Sequence, residues 1–189
     1  MAPKLHIITA STRPGRIGPS IARWFESYAG SHGAFTPVAV DLAGFNLPVY
    51  DEPRHPRMQK YEHAHTRTWA ASVAAADAYV FVTPEYNYSP PPSLINALDY
   101  VYNEWNYKAG GIVSYGGVSG GLRAAQALKL TLTTLKVVPP PEGVGIPNVA
   151  QLVDADGVFK SNDLINAAAG TMLDELARWT SALRSLRSA

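Results

Sequence analysis

The sequence predicts an α/β fold in which a doubly wound parallel sheet of five strands carries helices on both faces. Short apolar runs of strand length alternate with stretches whose apolar residues recur every three or four positions, which is typical of strand-helix units. Loops rich in glycine and proline separate these segments. Because no internal repeat and no linker interrupts the 189 residues, we expect residues 1–189 to form a single domain.

The first third of the chain predicts two strands with a helix between them. Residues 5–9 form the first predicted strand, and the helix after them is expected to end at Gly30 and Gly33. Residues 35–42 form the second predicted strand. Residues 51–58 combine prolines with charges, so we expect an exposed loop there.

The middle of the chain continues the alternation. Residues 61–76 predict a helix and residues 78–83 the third strand, after which Ser93 is expected to cap a third helix. Residues 110–115 predict the fourth strand, and residues 122–135 predict the helix that follows it.

The last part predicts one short strand and one long helix. Residues 136–138 begin the fifth strand, but prolines 139–141 cannot donate to a ladder, so the strand is expected to be irregular or at an edge. Residues 161–186 predict an amphipathic helix. Its expected apolar stripe contains Leu164, Ile165, Ala168, Met172, Leu176 and Trp179.

Composition excludes several classes of function. The chain has 47% apolar residues, a formal net charge of +1 and no cysteine, so disulfides, thiolate catalysis and cysteine-ligated metals are excluded. The charge balance gives no reason to expect nucleic acid or an anionic membrane as a partner. No apolar stretch is long enough to span a membrane, so we expect a soluble, cytoplasmic protein. On a helix, His63 and His65 would point to different sides, so we predict no metal site.

The loop after the first strand has the chemistry of a phosphate site. Ser11, Thr12 and Ser20 offer hydroxyls, and the helix behind the loop offers backbone amides and the positive end of its dipole. Arg13 and Arg16 can form charge-assisted bonds to phosphate oxygens. Gly15 and Gly18 allow close approach of the backbone. A solvated turn with ordinary surface arginines is the alternative.

The loop after the third strand suits a flat polar ring. Pro84 stiffens the backbone, Tyr86 and Tyr88 can stack on a ring or contact its edge, and Asn87 can both donate and accept hydrogen bonds. Glu85 admits two interpretations: a general base, or a carboxylate that caps or locks the backbone, which we favour. A turn with exposed aromatic residues is the alternative for the whole loop.

The loop after the fourth strand brings backbone close to a ligand, because four of the six residues from Gly116 to Gly121 are glycine. We assign Ser114, Tyr115, Gly116 and Gly117 to the site, with a ligand-free connection as the alternative. All three loops follow parallel strands, so they meet at the carboxyl edge of the sheet, where such folds bind ligands. A phosphate joined to a flat ring describes flavin mononucleotide (FMN).

These loops resemble the NADPH-dependent FMN reductase family, which is flavodoxin-like and includes quinone and azo-dye reductases. The resemblance covers residues 4–147 and rests on four stretches: Ser-Thr-Arg-Pro-Gly-Arg at 11–16, Thr-Pro-Glu-Tyr-Asn at 83–87, Asn-Ala-Leu-Asp at 96–99 and Ser-Tyr-Gly-Gly at 114–117. It implies the strand order 2-1-3-4-5 and a non-covalently bound FMN.

The resemblance also implies roles for individual residues. The phosphate and ribityl chain would be held by Ser11, Arg13, Gly18, Pro19, Ser20 and Ile21. The ring would be flanked by Pro84, Glu85, Tyr86 and Asn87, and its far edge would meet Ser114, Gly116 and Gly117. Arg16 would face either the FMN phosphate or an incoming NADPH.

The implied activity is that of an NAD(P)H oxidoreductase. Hydride would pass from NAD(P)H through flavin N5 to a quinone, an azo dye or free flavin in ping-pong order, with no catalytic side chain, since the cofactor carries the chemistry. Family members imply a homodimer or homotetramer. A flavodoxin-type electron carrier and a non-enzymatic binding protein with the same fold are the alternatives.

Overall fold

A computed structural model gives the structure of the chain and describes residues 2–187. Within these residues one sheet has the order β2-β1-β3-β4-β5, and a further strand, β6, also pairs with β4. Every paired strand is parallel. The strands are β1 (Lys4–Thr9), β2 (Thr36–Asp41), β3 (Ala78–Pro84), β4 (Lys108–Tyr115), β5 (Val137–Val138) and β6 (Val144–Ile146). The predicted fold class and the order 2-1-3-4-5 are confirmed.

The helices cover both faces of this sheet, as the sequence predicts. They are α1 (Gly18–His32), α2 (Ala64–Ala74), α3 (Pro92–Asp99), α4 (Leu122–Thr134) and α5 (Asp163–Leu183). Helices α1 and α5 pack on one face, where Ile21 and Leu176 are buried. Helices α2, α3 and α4 pack on the other face, where Trp69 and Leu128 are buried. Strand residues alternate between the two cores, which explains why β3 is buried along its whole length.

The proline run that was expected to disturb the fifth strand separates β5 from a sixth strand, β6. Strand β5 pairs with Lys108 and Ala109 at the start of β4, and β6 pairs with residues 113–115 at its end. The chain therefore follows the same edge of β4 twice, before and after prolines 139–141, which cannot supply ladder donors. The expectation of an irregular edge strand is confirmed.

One predicted helix boundary is wrong and another is right in part. Ser93 does not cap α3, because Pro91 holds the N-cap position and the Ser93 hydroxyl donates to the carbonyl of Ala10 at 2.6 Å. This bond ties α3 to the end of β1 instead. At the end of α1, Gly33 adopts the left-handed conformation that stops the helix, whereas Gly30 lies inside it.

Residues 51–58 are an exposed segment, as predicted, with the exception of Glu52. Glu52 is buried, and its carboxylate accepts hydrogen bonds from the amides of Glu62 (2.8 Å) and His63 (3.0 Å). Because these bonds hold His63 outside the helix in an extended conformation, its ring stacks on that of His65 at 5.1 Å. The two rings share a side, contrary to the prediction. Among the described residues no group of three or more histidine, aspartate or glutamate side chains is arranged to hold a metal ion.

The long C-terminal helix keeps most of its predicted apolar stripe. Its N-cap is Asn162, whose side chain accepts a hydrogen bond from the amide of Ile165. The two end residues of the predicted stripe are not buried: Leu164 is 80% exposed, and Trp179 is also exposed. Both side chains lie off the buried face of the helix, which carries Ile165 beside Leu164 and Thr180 beside Trp179.

Lys108 is the buried cation of the sheet, and it predicts how stability depends on pH. Its ammonium group donates to the carbonyls of Val73 (2.9 Å) and Ala74 (3.3 Å) at the end of α2 and to the Tyr79 hydroxyl (3.0 Å). A cation is favoured at a helix C-terminus, but burial dominates and lowers the pKa of Lys108 to about 8.

We expect the free energy of unfolding to rise by roughly 1.5 kcal/mol between pH 8 and pH 9.5. In this window the unfolded chain keeps the lysine proton while the folded chain loses it, so higher pH favours folding. Urea unfolding at several pH values measures the slope. The Lys108→Met variant should lose it, and an equally steep slope in that variant would assign the titration to another group.

Candidate functional site

The three predicted loops meet at the carboxyl ends of β1, β3 and β4. They line an open cleft of about 170 Å³. The cleft lies beside β1, at the point where the strand order of the sheet reverses. The lining residues are Arg13, Arg16, Ile17, Pro84, Glu85, Tyr86, Tyr115, Gly116 and Val149. Sequence reasoning missed Ile17 and Val149, because an isolated aliphatic residue in a loop carries no signal for a site.

The first loop presents an uncapped helix N-terminus to this cleft. Helix α1 begins after Ile17 with no side-chain cap. Pro19 has no amide hydrogen and the Ser20 amide donates to the Ile17 carbonyl at 2.9 Å, which leaves the amide of Gly18 for a ligand. Gly18 has no room for a side chain, because a Cβ there would lie 2.9 Å from the Tyr115 hydroxyl and 3.1 Å from a Thr9 methyl carbon. A hydrogen bond of 2.8 Å between Ser11 Oγ and the Tyr86 hydroxyl joins the first loop to the second.

The two arginines of the first loop differ in their partners. Arg16 forms an ion pair with Asp41, whose other carboxylate oxygen accepts from the amide of Ala43 at 3.1 Å. Arg16 Nε is buried and has no hydrogen-bond partner among the described residues. Arg13 is exposed, and no hydrogen bond or ion pair joins its guanidinium to another of residues 2–187. The cleft therefore contains donors that the protein itself leaves unused.

The second loop is a tight hairpin that continues β3. The amide of Glu85 donates to the carbonyl of Tyr115 (3.2 Å), which fixes the second loop to the third. Tyr86 and Ser89 exchange two backbone hydrogen bonds of 2.9 Å. Between them, Asn87 (φ 49°) and Tyr88 (φ 68°) both adopt left-handed conformations, which is the geometry of a type I′ turn.

The Glu85 carboxylate is hydrogen-bonded to the start of α4. Its side chain is only 7% exposed, and it accepts hydrogen bonds from the amide of Arg123 (3.1 Å) and from Ser119 Oγ (3.2 Å). The Arg123 guanidinium bonds it through Nε at 2.7 Å and holds the pKa of Glu85 below its usual range. A carboxylate that is ion-paired with an arginine and bonded to a helix N-terminus is a poor proton acceptor. This supports the interpretation of Glu85 as a carboxylate that caps or locks the backbone.

The third loop turns sharply at two glycines in left-handed conformation. Gly120 has φ 60° and Gly121 has φ 78°, and Gly121 is the N-cap of α4. The amide of Gly116 donates to the carbonyl of Ile146 at 3.2 Å, so β6 supports this loop from behind. Gly117 is exposed, and nothing lies within 4 Å of the position of a Cβ there.

Tyr115 closes the cleft between the first and third loops. Its ring is buried, and burial raises the pKa of its hydroxyl well above the usual value for tyrosine. The hydroxyl therefore keeps its proton throughout the physiological range and offers a neutral donor beside Arg13 and Arg16.

Several predicted site residues do not face the cleft. Ile21 is buried in the core beneath α1, Ser20 Oγ accepts from the amide of Phe159 (2.8 Å), and Ser114 Oγ donates to the carbonyl of Gly120 (2.8 Å). Thr12 lines a neighbouring pocket of about 410 Å³ instead. Pro19 is half-buried on α1, and Asn87, Tyr88 and Gly117 lie on the exposed rim. Only part of the predicted set is thus brought together by the fold.

A parallel sheet of order 2-1-3-4-5 with a cleft at its carboxyl edge defines a flavodoxin-like α/β protein. Solved structures agree: the flavoenzyme NAD(P)H:(acceptor) oxidoreductase FerB from Paracoccus denitrificans matches with a TM-score of 0.75 at 22% identity, covering 96% of this chain and 98% of that one. This likeness shows the fold.

Sequence comparison defines the family. The family model for NADPH-dependent FMN reductase matches residues 3–151. An NAD(P)H-dependent FMN reductase of Schizosaccharomyces pombe is 39% identical over 150 residues, which is 78% of this chain and 75% of that protein. A quinone reductase of Pseudomonas putida is 28% identical over 95% of this chain and 96% of its own length. The chain belongs to the NADPH-dependent FMN reductase family, which confirms the predicted family and its class, an NAD(P)H-dependent oxidoreductase.

Proposed function

We propose that this protein binds FMN without a covalent bond in the cleft between its three loops and transfers hydride equivalents from NAD(P)H to a quinone. The observation that carries the proposal is the set of unused donors at one end of the cleft. These are the buried Arg16 Nε, the free guanidinium of Arg13 and the uncapped start of α1.

The donor set fits a phosphate. A dianion there would accept from the Gly18 amide and the unpaired Arg16 Nε together, and it would complement the helix dipole. A Cβ at Gly18 would meet the Tyr115 hydroxyl and a Thr9 methyl carbon, so glycine lets the start of α1 pack directly beside Tyr115. Asp41 keeps Arg16 in place for this contact and offsets part of its charge.

The rest of the cleft fits a flat ring. One part of the lining comes from the second loop, with Pro84, Glu85 and Tyr86, and another from the third, with Tyr115 and Gly116. The amides of the third loop can meet the polar edge of a pyrimidine-like ring, with Gly117 leaving that edge open. Ser20, Ile21 and Ser114 would then support the loops from behind rather than contact the cofactor.

When bound, FMN supplies the capacity to accept and release hydride. The protein residues orient the reactants and exclude water, and no side chain in the cleft is placed as a general base. The overall reaction is NAD(P)H + quinone + H⁺ giving NAD(P)⁺ + hydroquinone. We propose that donor and acceptor use the open face of the cleft in turn, which produces ping-pong kinetics; azo dyes and free flavin are acceptors of the same planar type.

We also propose that residues 1–189 form one domain that assembles as a homodimer or homotetramer in the cytoplasm, where NAD(P)H is available. Leu122 and Leu130 support a subunit contact, since both are exposed on α4 and two helical turns apart. Among the described residues, no helix has the length and apolar character needed to cross a membrane.

The test is a spectrum followed by a turnover assay. The purified protein should be yellow, release FMN on heating and oxidise NADPH or NADH in the presence of 1,4-naphthoquinone. Initial rates at varied concentrations of both substrates should give parallel double-reciprocal lines. A yellow protein without turnover would identify an electron carrier, and a colourless protein that takes up no FMN would identify a binding protein without flavin.

A further inference from the structure

A larger cavity lies at the opposite edge of the sheet from the cleft, and we call it the amino-edge cavity. Its volume is about 660 Å³, which is within the range of small-molecule sites. Three of its lining residues mark the amino ends of strands: Lys4 begins β1, Thr36 begins β2, and Asp77 directly precedes β3. Because β1 lies between the two edges, roughly 20 Å separates this cavity from the cleft.

One face of the C-terminal helix borders the amino-edge cavity. Helix α5 continues into a 3₁₀ turn (Arg184–Arg187), and together they contribute five lining residues: Ala177, Thr180, Ser181, Arg184 and Arg187. Their spacing of three, one, three and three positions is that of a single helix face. Unlike the apolar stripe that α5 packs on the sheet, this face carries two hydroxyls and two guanidinium groups.

Two residues of this face have buried polar atoms without a partner within residues 2–187. Thr180 is 5% exposed, and its Oγ1 forms no hydrogen bond there. Arg187 Nε is buried and likewise has no acceptor. A buried polar group without a hydrogen bond costs free energy, and most such groups in proteins have a partner. An acceptor bound in the cavity would supply the missing partner for both.

Arg187 is already held at the cavity by Asp77. Its Nη1 donates to the carbonyl of Asp77 at 3.3 Å and to the carboxylate at 3.4 Å. The other oxygen of this carboxylate accepts from the amide of Lys4 at 2.9 Å. These contacts fix the guanidinium beside the starts of β1 and β3 before any ligand binds, so little further ordering is needed.

The lining determines the class of ligand. Three cationic side chains line the cavity, those of Lys4, Arg184 and Arg187, and the carboxylate of Asp77 is the one acidic group among the lining residues. The rest of the lining consists of hydroxyl-bearing residues and of alanine and proline. We propose that the amino-edge cavity binds a small organic carboxylate, whose head group accepts hydrogen bonds from Arg187 and Thr180 and whose aliphatic part packs on the alanine and proline side chains.

A single negative charge suits this cavity better than the dianion of a phosphate ester, because Asp77 would repel the second charge. The inference does not depend on the proposed function, since the cavity shares no lining residue with the cleft.

The experiment titrates the full chain, as purified, with cyclohexanecarboxylate in a calorimeter. This probe is aliphatic and not planar, and cyclohexylmethanol is its uncharged counterpart of similar shape. Thr180→Val keeps the shape of the side chain without the hydroxyl, and Arg187→Gln removes the guanidinium. Arg178→Gln is the matched control, because Arg178 is an exposed arginine of α5 that does not line the cavity. Arg13→Ala reports on binding at the cleft instead.

We expect the wild type to bind the carboxylate at least about 10-fold more tightly than the alcohol. Thr180→Val should weaken carboxylate binding roughly 2- to 10-fold and Arg187→Gln roughly 10-fold or more, the sizes of a neutral and a charge-assisted hydrogen bond. Arg178→Gln and Arg13→Ala should bind it as the wild type does. If Arg187→Gln proves unstable on thermal unfolding, Thr180→Val decides the result.

Three outcomes would overturn the inference: no measurable binding of the carboxylate, equal affinities for the carboxylate and the alcohol, or unchanged binding in Thr180→Val. Weaker binding in Arg13→Ala would place the carboxylate at the cleft and would overturn it too. Each outcome concerns the amino edge of the sheet, so the presence or absence of FMN and of turnover is judged separately.

Discussion

Replacement of Gly121 by alanine is expected to lower the free energy of unfolding by more than about 3 kcal/mol. A Cβ at this position would lie 2.7 Å from the Tyr115 amide nitrogen and 2.9 Å from Ser114 Cβ, and backbone atoms cannot move aside as a flexible side chain can. The residue also has φ 78°, where alanine is strained. Relief of the clash would displace the third loop from the end of β4 and open the cleft.

Gly117 provides the matched control on the same loop. No atom lies within 4 Å of its Cβ position and its φ is not positive, so Gly117→Ala should change stability by less than about 0.5 kcal/mol. Urea unfolding monitored by circular dichroism measures both variants. Comparable stabilities for the two variants would show that the turn at Gly121 is not a tight packing point.

The architecture was predictable because the strands are buried on both faces. Continuous apolar runs such as residues 78–83 indicate a parallel sheet covered by helices, and the proline run after β5 indicates an irregular edge. The return of the chain to β4 as β6 was not predictable, since three residues, Val144–Ile146, carry no periodic signal. The predicted helix cap at Ser93 was wrong because a tertiary contact prevails over the local preference. The Ser93 hydroxyl donates to the carbonyl of Ala10 and does not cap its own helix.

The position of the site was predictable, but the direction of its side chains was not. Parallel strands place their following loops at one edge, so the convergence of the three loops follows from topology. Whether Ser20 faces the cleft or the amide of Phe159 depends on a contact 139 positions away along the chain. The partners of Arg16 and Glu85, which are Asp41 and Arg123, are likewise distant in sequence, and the sequence offers no pattern that links them.

Substitution of Arg13 by alanine is expected to weaken FMN binding by about 1.5–3 kcal/mol, or roughly 10- to 150-fold in the dissociation constant. Arg13 is the arginine of the first loop whose guanidinium has no partner among residues 2–187, so its full charge is available to a phosphate, whereas Arg16 is already shared with Asp41. Titration of the apo-protein with FMN, followed by quenching of flavin fluorescence, measures the change.

Riboflavin separates a phosphate contact from a contact with the ring, because it lacks only the phosphate. If Arg13 holds the phosphate, Arg13→Ala and the wild type should bind riboflavin equally well, and Arg13→Lys should lose less FMN affinity than Arg13→Ala because it keeps the charge without the bidentate geometry. Arg23→Ala removes an equal charge from an exposed position on α1 and should bind FMN as the wild type does. Equal losses for FMN and riboflavin in Arg13→Ala would place this residue at the ring. No loss for either would mean that the open guanidinium beside the uncapped helix is not the anion site, since nothing else in the first loop offers an unpaired positive charge.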